Sequence, residues 1–436
     1  MDWSEVVLGD YIDVLTDYHA NGAYEKLKAN VTLKHEKDYA VMIRTLNFER
    51  GDFEKGLIYV NKVEYDFLAK SKVYSGDILM NKIADPGTVY LMPDLGAPVS
   101  LAMNLFLIRF KKSVNQHFMY YLMHFYEPYI KLYTNGAATA TITKDTVRKL
   151  KFKIPRLDIQ EKIVAIISAY DNLVENNLQQ IKILEETRMV TYEEWFHRMK
   201  FPGHENTLID KKTKLPKGWQ RVPLPEVIDF KEGPGLRNWQ YRDKGIPFLN
   251  IRVIKGDEVD LSKVKYLDPK EVSDKYKHFL LEEDDHVIST SGTLGRLVTI
   301  RKCHLPICLN TSLIRMRQKT DLMGKWQIKH MLLGQMFQGI LDVYANGSAQ
   351  VNFGPTHLKQ IKLIVPTSKI AAAYEEIAIP IEENIKILKD QILLLKEARD
   401  ILLPRIMTGM IDIDKLKIPE ILLKDVSQKE QGANAA

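Results

Sequence analysis

Leu150-Lys151-Phe152-Lys153-Ile154-Pro155 and Ile361-Lys362-Leu363-Ile364-Val365-Pro366 are one segment written twice, each preceded by an Asn-Gly pair, Asn135-Gly136 and Asn346-Gly347. Both landmarks carry the same offset: 136 maps onto 347 and 155 onto 366, a shift of 211. Further back, Asp77-Ile78-Leu79-Met80 with Gly87 matches Asp285-His286-Val287-Ile288 with Gly295 at a shift of 208. Asn104-Leu105-Phe106-Leu107-Ile108-Arg109 faces Asn310-Thr311-Ser312-Leu313-Ile314-Arg315 at a shift of 206. Offsets that wander by a few residues are what loop insertions between equivalent elements produce. A period of roughly 200 residues is far too long for a solenoid, so the pattern is a duplicated domain.

Each copy divides again. Residues 1–155 and 218–366 mix short β-rich runs (Lys149–Ile154, Leu297–Arg301, Ile361–Val365) with helical patches at Gln116–Tyr133 and Lys325–Tyr344, punctuated by Gly, Asn and Pro. A long helical pattern follows each. In the first, Ile167, Tyr170, Val174, Asn177, Ile181, Leu184, Arg188, Thr191 and Trp195 alternate three- and four-residue steps; in the second, Ile381, Asn384, Leu388, Gln391, Leu395, Ala398 and Leu402 do so. Asn177 and Asn384 fall at the same seam position, which predicts a register-fixing buried amide pair in an antiparallel packing, unless both amides simply face solvent. Pro380 predicts a break in the second helix, because proline lacks the amide and crowds the preceding turn. About 40 residues per helix at about 1.5 Å rise predict a spacer of about 60 Å.

The expected fold class is therefore α+β: two duplicated α/β globules separated and joined by two long antiparallel coiled-coil-like helices. The expected partition is globule 1 over 1–155, helix 156–200, linker 201–217, globule 2 over 218–366, helix 367–411 and a polar, disordered tail over 412–436.

At 436 residues with 45% hydrophobic content, the chain is long enough for several folded domains. A formal charge of +6 permits a nucleic-acid partner without requiring one. Only two cysteines, Cys303 and Cys308, argue against a disulfide framework and for a reducing, cytoplasmic setting. Met1-Asp2-Trp3-Ser4-Glu5 has neither the basic nor the apolar region of a signal peptide, and no apolar run approaches about 18 residues, so a soluble chain with no membrane partner is expected.

The sequence carries no Asn-Pro-Pro-aromatic or Asp-Pro-Pro-aromatic tetrapeptide and no Gly-x4-Gly-Lys-Ser/Thr loop. Pro93-Asp94 could open a nuclease motif, yet no acidic residue follows until Glu127. Cys303-His304 with Cys308 lacks the further ligand pair of a structural zinc site and reads as ordinary thiols. Gly233-Pro234-Gly235 lacks the third glycine of a dinucleotide fold and reads as a loop. No catalytic residue, metal or cofactor is expected, and the chemistry is delegated to partners.

Trp195-Phe196-His197-Arg198-Met199-Lys200-Phe201-Pro202-Gly203-His204-Glu205, then Leu215-Pro216-Lys217-Gly218-Trp219, resembles the boundary between the first spacer helix and second recognition domain of type I restriction–modification specificity subunits. Ile154-Pro155-Arg156-Leu157-Asp158-Ile159-Gln160-Glu161-Lys162-Ile163 is similar to the start of that family's first helix, and Leu402-Leu403-Pro404-Arg405-Ile406-Met407-Thr408-Gly409 to the end of its second. The likeness covers residues 1 to about 411 and departs at Pro366-Thr367-Ser368-Lys369-Ile370-Ala371, which lacks the Gln-Glu pair of 160–161. The resemblance implies a non-enzymatic subunit whose globules each read half of a bipartite, asymmetric double-stranded DNA target. It implies partners too: two adenine-N6 methyltransferase subunits and two ATP-dependent restriction/translocase subunits, recruited by the helices that set the gap.

Base edges are read by Arg, Lys, Asn and Gln, and phosphates by cations and free amides. In the second globule Ser289-Thr290-Ser291-Gly292-Thr293-Leu294-Gly295-Arg296 reads as a hairpin tip offering Thr290, Thr293 and Arg296. The related domains commonly carry a Gly-x-x-Gly hairpin there. Ser348, Gln350 and Asn352 offer amide and hydroxyl contacts, and Arg237, Asn238 and Arg242 mix cations with aromatics. By the same shifts the first globule offers Asn81, Lys82, Thr139 and Thr141, with Arg44 and Lys62 as further candidates. Each also reads as an ordinary solvated loop residue. Three alternatives stay open: a protein-binding scaffold without DNA recognition, an enzyme with unrecognised motifs, and a subunit serving a methyltransferase alone.

Overall fold

The computed structural model describes residues 3–136, 139–346, 353–424 and 426; of residues 344–346 it describes the backbone alone. Central strands carry apolar runs buried on both faces, such as Ile78-Leu79-Met80 and Leu105–Ile108, because helices and a second sheet cover them. In the first copy the strands are β1 (Trp3–Val7), β2 (Ile12–Asp17), β3 (Ala40–Ile43), β4 (Tyr59–Val60), β5 (Lys72–Val73), β6 (Ile78–Asn81), β7 (Val89–Leu91), β8 (Val99–Leu101), β9 (Leu105–Phe110) and β10 (Lys151–Pro155). In the second they are β11 (Gln220–Pro223), β12 (Ile228–Glu232), β13 (Ile246–Leu249), β14 (Ile254–Lys255), β15 (Glu258–Val259), β16 (Lys265–Leu267), β17 (His286–Ser289), β18 (Leu297–Thr299), β19 (Cys308–Leu309), β20 (Leu313–Gln318) and β21 (Lys362–Val365). The helices that matter are α1 (Gln116–Phe125), α2 (Lys144–Lys149), α3 (Leu157–Tyr192), α4 (Lys325–Leu333), α5 (Gln335–Asn346) and α6 (Ser368–Met407).

The two copies share one topology. An antiparallel sheet runs β2-β9-β6-β7 in the first and β12-β20-β17-β18 in the second. A mixed sheet pairs β3 with β8 in parallel and, likewise, β13 with β19. A two-stranded ladder closes each, β1 with β10 and β11 with β21. The duplication reaches individual side chains, and it corrects one offset. Leu105 opposite Asn81 and Leu313 opposite Ser289 hold equivalent places, so the shift of the β9 segment is 208 and not the expected 206. The apolar run on both strands hid the extra two residues of displacement. Arg109 grips Asp77 at 2.6 Å through both Nε and Nη2, and Arg317 grips Asp285 at 2.6 and 2.8 Å. At the hairpin end the Asn81 amide donates to Thr88 O and the Ser289 amide to Arg296 O, both 2.9 Å.

Gly87 and Gly295 sit at equivalent points of these hairpins with φ of +94° and +80°. A Cβ at Gly295 would come within 2.7 Å of Gln338 Oε1 and 3.0 Å of Leu341 Cδ1 on α5. Gly295→Ala should therefore lower stability by about 1–2 kcal/mol, read as a thermal melt. Gly235→Ala, where nothing lies within 4 Å, should leave the melt unchanged.

By contacts the chain forms two compact units, 1–175 with 392–436, and 176–391, so each long helix contributes to both. Within the first unit Ile159, Ile163 and Ile167 of α3 pack with Leu403, Ile406 and Met407 of α6, and Arg399 Nη1 donates to Asp171 at 2.6 Å. Within the second unit Asn177 Nδ2 meets Gln391 Oε1 at 3.2 Å and Arg188 Nη1 meets Glu382 Oε1 at 2.9 Å. Numbers rise on α3 as they fall on α6, so the helices run antiparallel.

Three expectations about the helices and the tail need correction. Asn177 is buried, but Asn384 is exposed and the Asn177 amide bonds Gln391 instead. The buried stripe of α6 lies one residue further on, through Ala378, Glu382, Ile385, Ile392, Leu403 and Ile406. Helix α6 is also unbroken at Pro380. Pro380 and Glu376, whose carbonyl it leaves unpaired, are both exposed, so water can satisfy the lost bond. Finally, Ile413 and Val426 are buried, and Ile418, Leu422 and Leu423 pack on the first unit's core, so the described residues after 412 belong to the fold. Apolar residues spaced among lysines hid this in the composition. Among the described residues no helix is long and apolar enough to cross a membrane.

The missing Gln-Glu pair at the start of α6 also has a structural answer. In the first copy Gln160 Oε1 accepts the Asn115 amide at the start of α1 (2.9 Å). In the second, Glu375 accepts the Gln327 amide (2.8 Å) and the Trp326 amide (3.3 Å) of α4. A Cβ on Gly324 would lie 2.0 Å from the Glu375 side chain, so only glycine permits this approach.

Candidate nucleic-acid interface

In the first copy the ends of β2, β6 and β9 lie side by side, because the sheet order places β9 between the other two. This juxtaposes Asp17, Lys82 and the bridged pair Asn135 and Thr141. Lys82 Nζ lies 3.1 Å from Asp17 Oδ2 and 3.5 Å from His19 Nδ1, while Lys144, first residue of α2, reaches Asp17 Oδ1 at 2.9 Å. Burial pushes the Asp17 carboxyl up, but hydrogen bonds from Lys144 and Lys82 and their charges outweigh it and hold it below the usual carboxylate range. Thr141 exchanges backbone hydrogen bonds with Asn135 (2.8 Å each) and bridges to Ile83; the next residue, Ile142, donates to Lys82 O at 3.1 Å. Thr139 is exposed beside it. Lys82, Thr139 and Thr141 thus belong to one end of the globule.

Asn81 is the exception. It is buried, its Oδ1 accepts from Thr45 Oγ1 (2.8 Å) and its Nδ2 donates to Tyr90 OH (3.1 Å). Its hydrogen bonds are used inside the fold, which removes it as a base reader. Arg44 is half-buried, donates Nη2 to Gly56 O (2.8 Å), and lines a cavity of about 340 Å³ with Tyr18, Thr45 and Asn104. Lys62 is exposed, its ammonium 5.9 Å from the Tyr39 ring centroid.

In the second copy the hairpin tip closes on itself. Ser289 Oγ donates to Thr293 O (2.5 Å) and accepts from the Arg296 amide (2.9 Å). Thr293 is exposed, and Arg296 is half-buried with Nη1 on Ile254 O (3.2 Å). Thr290 corrects the sequence reading: it is buried, its amide on Ser312 O (3.0 Å) and its carbonyl accepting from the Phe353 amide (3.3 Å). The Ile142–Lys82 contact is therefore repeated as Phe353–Thr290. Ser348, Gln350 and Asn352 lie outside the described residues.

Arg237, Asn238 and Arg242 are exposed on a tight loop. Gln240, buried against Glu271 (2.8 Å) and Tyr276 OH (3.2 Å), fixes it by accepting the Arg237 amide (2.9 Å), and Arg242 Nη1 caps Trp239 O (2.9 Å) and Tyr241 O (3.0 Å). This leaves Trp239 72% exposed between two arginines. A tryptophan held outward on a rigid loop can stack on a base or pack along a groove. The sequence pointed to the segment; only the structure shows that Gln240 turns inward and Trp239 outward.

Asp17, His19 and Lys144 went unnoticed in the sequence. They stand 65, 63 and 62 positions from Lys82, and no local motif links them. Cys303 is exposed, Cys308 is buried, and no metal-holding cluster occurs among the described residues.

One α+β globule built twice, each followed by a long helix and ending in differently furnished hairpin tips, defines a class of duplicated two-headed chains. The family model for the type I restriction modification DNA specificity domain matches both copies, over residues 2–186 and 216–397, and the chain belongs to that family. It is similar to the type I restriction enzyme MjaVIII specificity subunit of Methanocaldococcus jannaschii, 22% identical over 309 residues that cover 70% of this chain and 72% of that one. The putative type I restriction enzyme MjaX specificity subunit of the same organism is 22% identical over 406 residues, covering 89% and 92%. The crystal structure of the type I restriction–modification system S subunit from M. genitalium shares the fold, with a TM-score of 0.54, 14% identity, and coverage of 92% of this chain and 95% of that one.

Proposed function

We propose that this chain is the non-catalytic, DNA-reading subunit of a cytoplasmic type I restriction–modification assembly. The globules over 1–155 and 218–366 each read one half of a bipartite, asymmetric duplex target. The helices over 156–200 and 367–411 set the gap and recruit partners; 201–217 is the linker into the second globule, and 412–436 follows the second helix. Those partners are two adenine-N6 methyltransferase subunits and two ATP-dependent restriction/translocase subunits. One observation carries the reading: the same hairpin recurs on the same framework with different side chains at its tip. Lys82 in one copy stands where Thr290 stands in the other, and the bulk of the scaffold between them is shared. Two readers of unlike half-sites require that arrangement.

Partner recruitment is supported by the outer surface of the helices. Ile183 and Val190 on α3, and Ile387, Leu394 and Ile401 on α6, are exposed at seven-residue spacing. Apolar residues repeated at that period form a stripe suited to another helix.

The test is to co-express the chain with the methyltransferase encoded beside it and map adenine methylation across the host genome. Two short specified blocks separated by a fixed unspecified gap are expected. Methylation of a continuous site, or none from a stable complex, would contradict the proposal.

A further inference from the structure

The same end of the sheet carries different chemistry in the two copies. Register makes the comparison direct: Asp17 lies opposite Phe106, and Glu232 lies opposite Ile314. The shift from 106 to 314 is 208, the same as from Lys82 to Thr290. Lys144 corresponds to Pro355 at the 211 shift of the following segment. Asp17, Lys82 and Lys144 in the first copy are thus replaced by Glu232, Thr290 and Pro355 in the second, and both cations are gone. The adjoining segment 347–352 of the second copy contains no lysine or arginine.

A structural ion pair requires one cation for the Asp17 carboxylate, and this site has two. The Lys82 and Lys144 ammonium groups lie 3.1 and 2.9 Å from its two oxygens, with side-chain exposures of 11% and 30%. Each ammonium has three N–H donors and gives one to Asp17, so donors remain on both. The cluster is anchored from below by Phe106, whose ring centroid lies 5.8 Å from Lys82 Nζ, and flanked by His19. It carries one net positive charge at a hairpin tip, fixed in place by a carboxylate rather than waving on flexible stems.

We propose that Lys82 and Lys144, held by Asp17, clamp a single backbone phosphate of duplex DNA, and that only the first copy possesses this clamp. The inference rests on the DNA-reading role proposed above. It assigns the two copies unequal tasks: the first anchors the strand through this phosphate, and the second engages its half-site without an equivalent.

The experiment uses the chain in complex with its methyltransferase subunits and a duplex bearing the mapped target. The slope of log K against log salt is measured for the wild type, Lys82→Gln, Lys144→Gln and the double variant. The slope should shrink by about 0.9 in the double variant, the contribution of one phosphate to B-DNA, and the double Lys→Arg variant should retain it. Neutral methylphosphonate linkages placed in one half-site should erase the difference between wild type and double variant, and those in the other half-site should not. An unchanged slope in a folded double variant overturns the clamp, as does an effect traced equally to both half-sites. If the double variant does not fold, Lys144→Gln, at the more exposed lysine, decides by the same criterion. A wild-type complex with no salt-dependent DNA affinity would refute the DNA-reading role itself, a different failure.

Discussion

Replacing Glu382 by glutamine should destabilise the second unit by about 3–5 kcal/mol, the cost of taking the shared counter-charge from a buried cluster in which Arg188 keeps only Glu185, at 3.0 Å. Glu382 is fully buried on α6, and three groups converge on it: Arg188 Nη1 at 2.9 Å, Lys329 Nζ at 2.5 Å and His330 Nε2 at 2.8 Å. The other ring nitrogen of His330 meets Tyr374 OH at 2.7 Å. Burial pushes the Glu382 carboxyl up, yet the Lys329 charge, the His330 hydrogen bond and the Arg188 charge outweigh it and hold the group far below the usual carboxylate range. Removing the negative charge would set Arg188 against Lys329 in a region of low dielectric.

Four of the five tryptophans, Trp195, Trp219, Trp239 and Trp326, lie in the second unit, so urea unfolding followed by tryptophan fluorescence reports on it. A midpoint shift worth less than about 1 kcal/mol would mean that the cluster is solvated and that its cations need no buried counter-charge. The first unit supplies an internal comparison. At the 211 shift Arg188 becomes Arg399 and Asp171 becomes Glu382, so the Arg399–Asp171 pair is the same bridge with its polarity exchanged between the helices. Its side chains are a quarter to a third exposed, and Asp171→Asn should cost less.

Acidification from pH 7 to 5 should weaken the second unit by about 4 kcal/mol, through histidines buried in the neutral form. His286 sits between Thr299 Oγ1 (3.1 Å) and Lys325 O (3.0 Å), and burial, reinforced by the Lys329 charge, pushes it down to about 3. His304 accepts the Arg301 amide at Nδ1 (3.1 Å), and burial together with the Arg301 charge brings it down to about 4. The sign follows from proton uptake. Below pH about 6.5 the unfolded chain binds protons that the folded chain refuses, so stability falls with pH until the folded values near 3 and 4 are reached. At pH 5 each histidine accounts for about 2 kcal/mol. Urea unfolding at pH 7, 6 and 5 checks this. His286→Asn should flatten the dependence by about half, and a wild-type stability that stays level from pH 7 to 5 would refute it.

Periodicity and offset make the duplication legible in residue order alone. A shared Asn-Gly, a shared Gly within each hairpin and nearly constant shifts, 208 to 211 once the β9 segment is set in register, are properties of residue order, and turn chemistry is local. The seam of α3 was readable because its inward positions are mostly apolar or aromatic, and the polar exceptions, Asn177 and Arg188, fall on the same heptad steps. That of α6 was not, because it buries Glu382 while exposing Ile377, Ile387, Leu394 and Ile401. Hydrophobicity cannot distinguish a face that packs on the chain's own core from one left outward.

The same division holds at the candidate interface. Residue order alone determined that two equivalent hairpins exist, that Lys82 and Thr290 correspond, and that the loops around 139–141 and 348–352 accompany them. Tertiary structure decided which of those side chains face outward: Asn81 and Thr290 turn in, Thr293 and Trp239 turn out. It also decided that Asp17 and Lys144, 127 positions apart, meet at one carboxylate. The reason is physical. Turn formation and helical period depend on near neighbours, whereas the company a side chain keeps at a sheet end is set by strand order and register, which hydrogen bonds between distant segments impose.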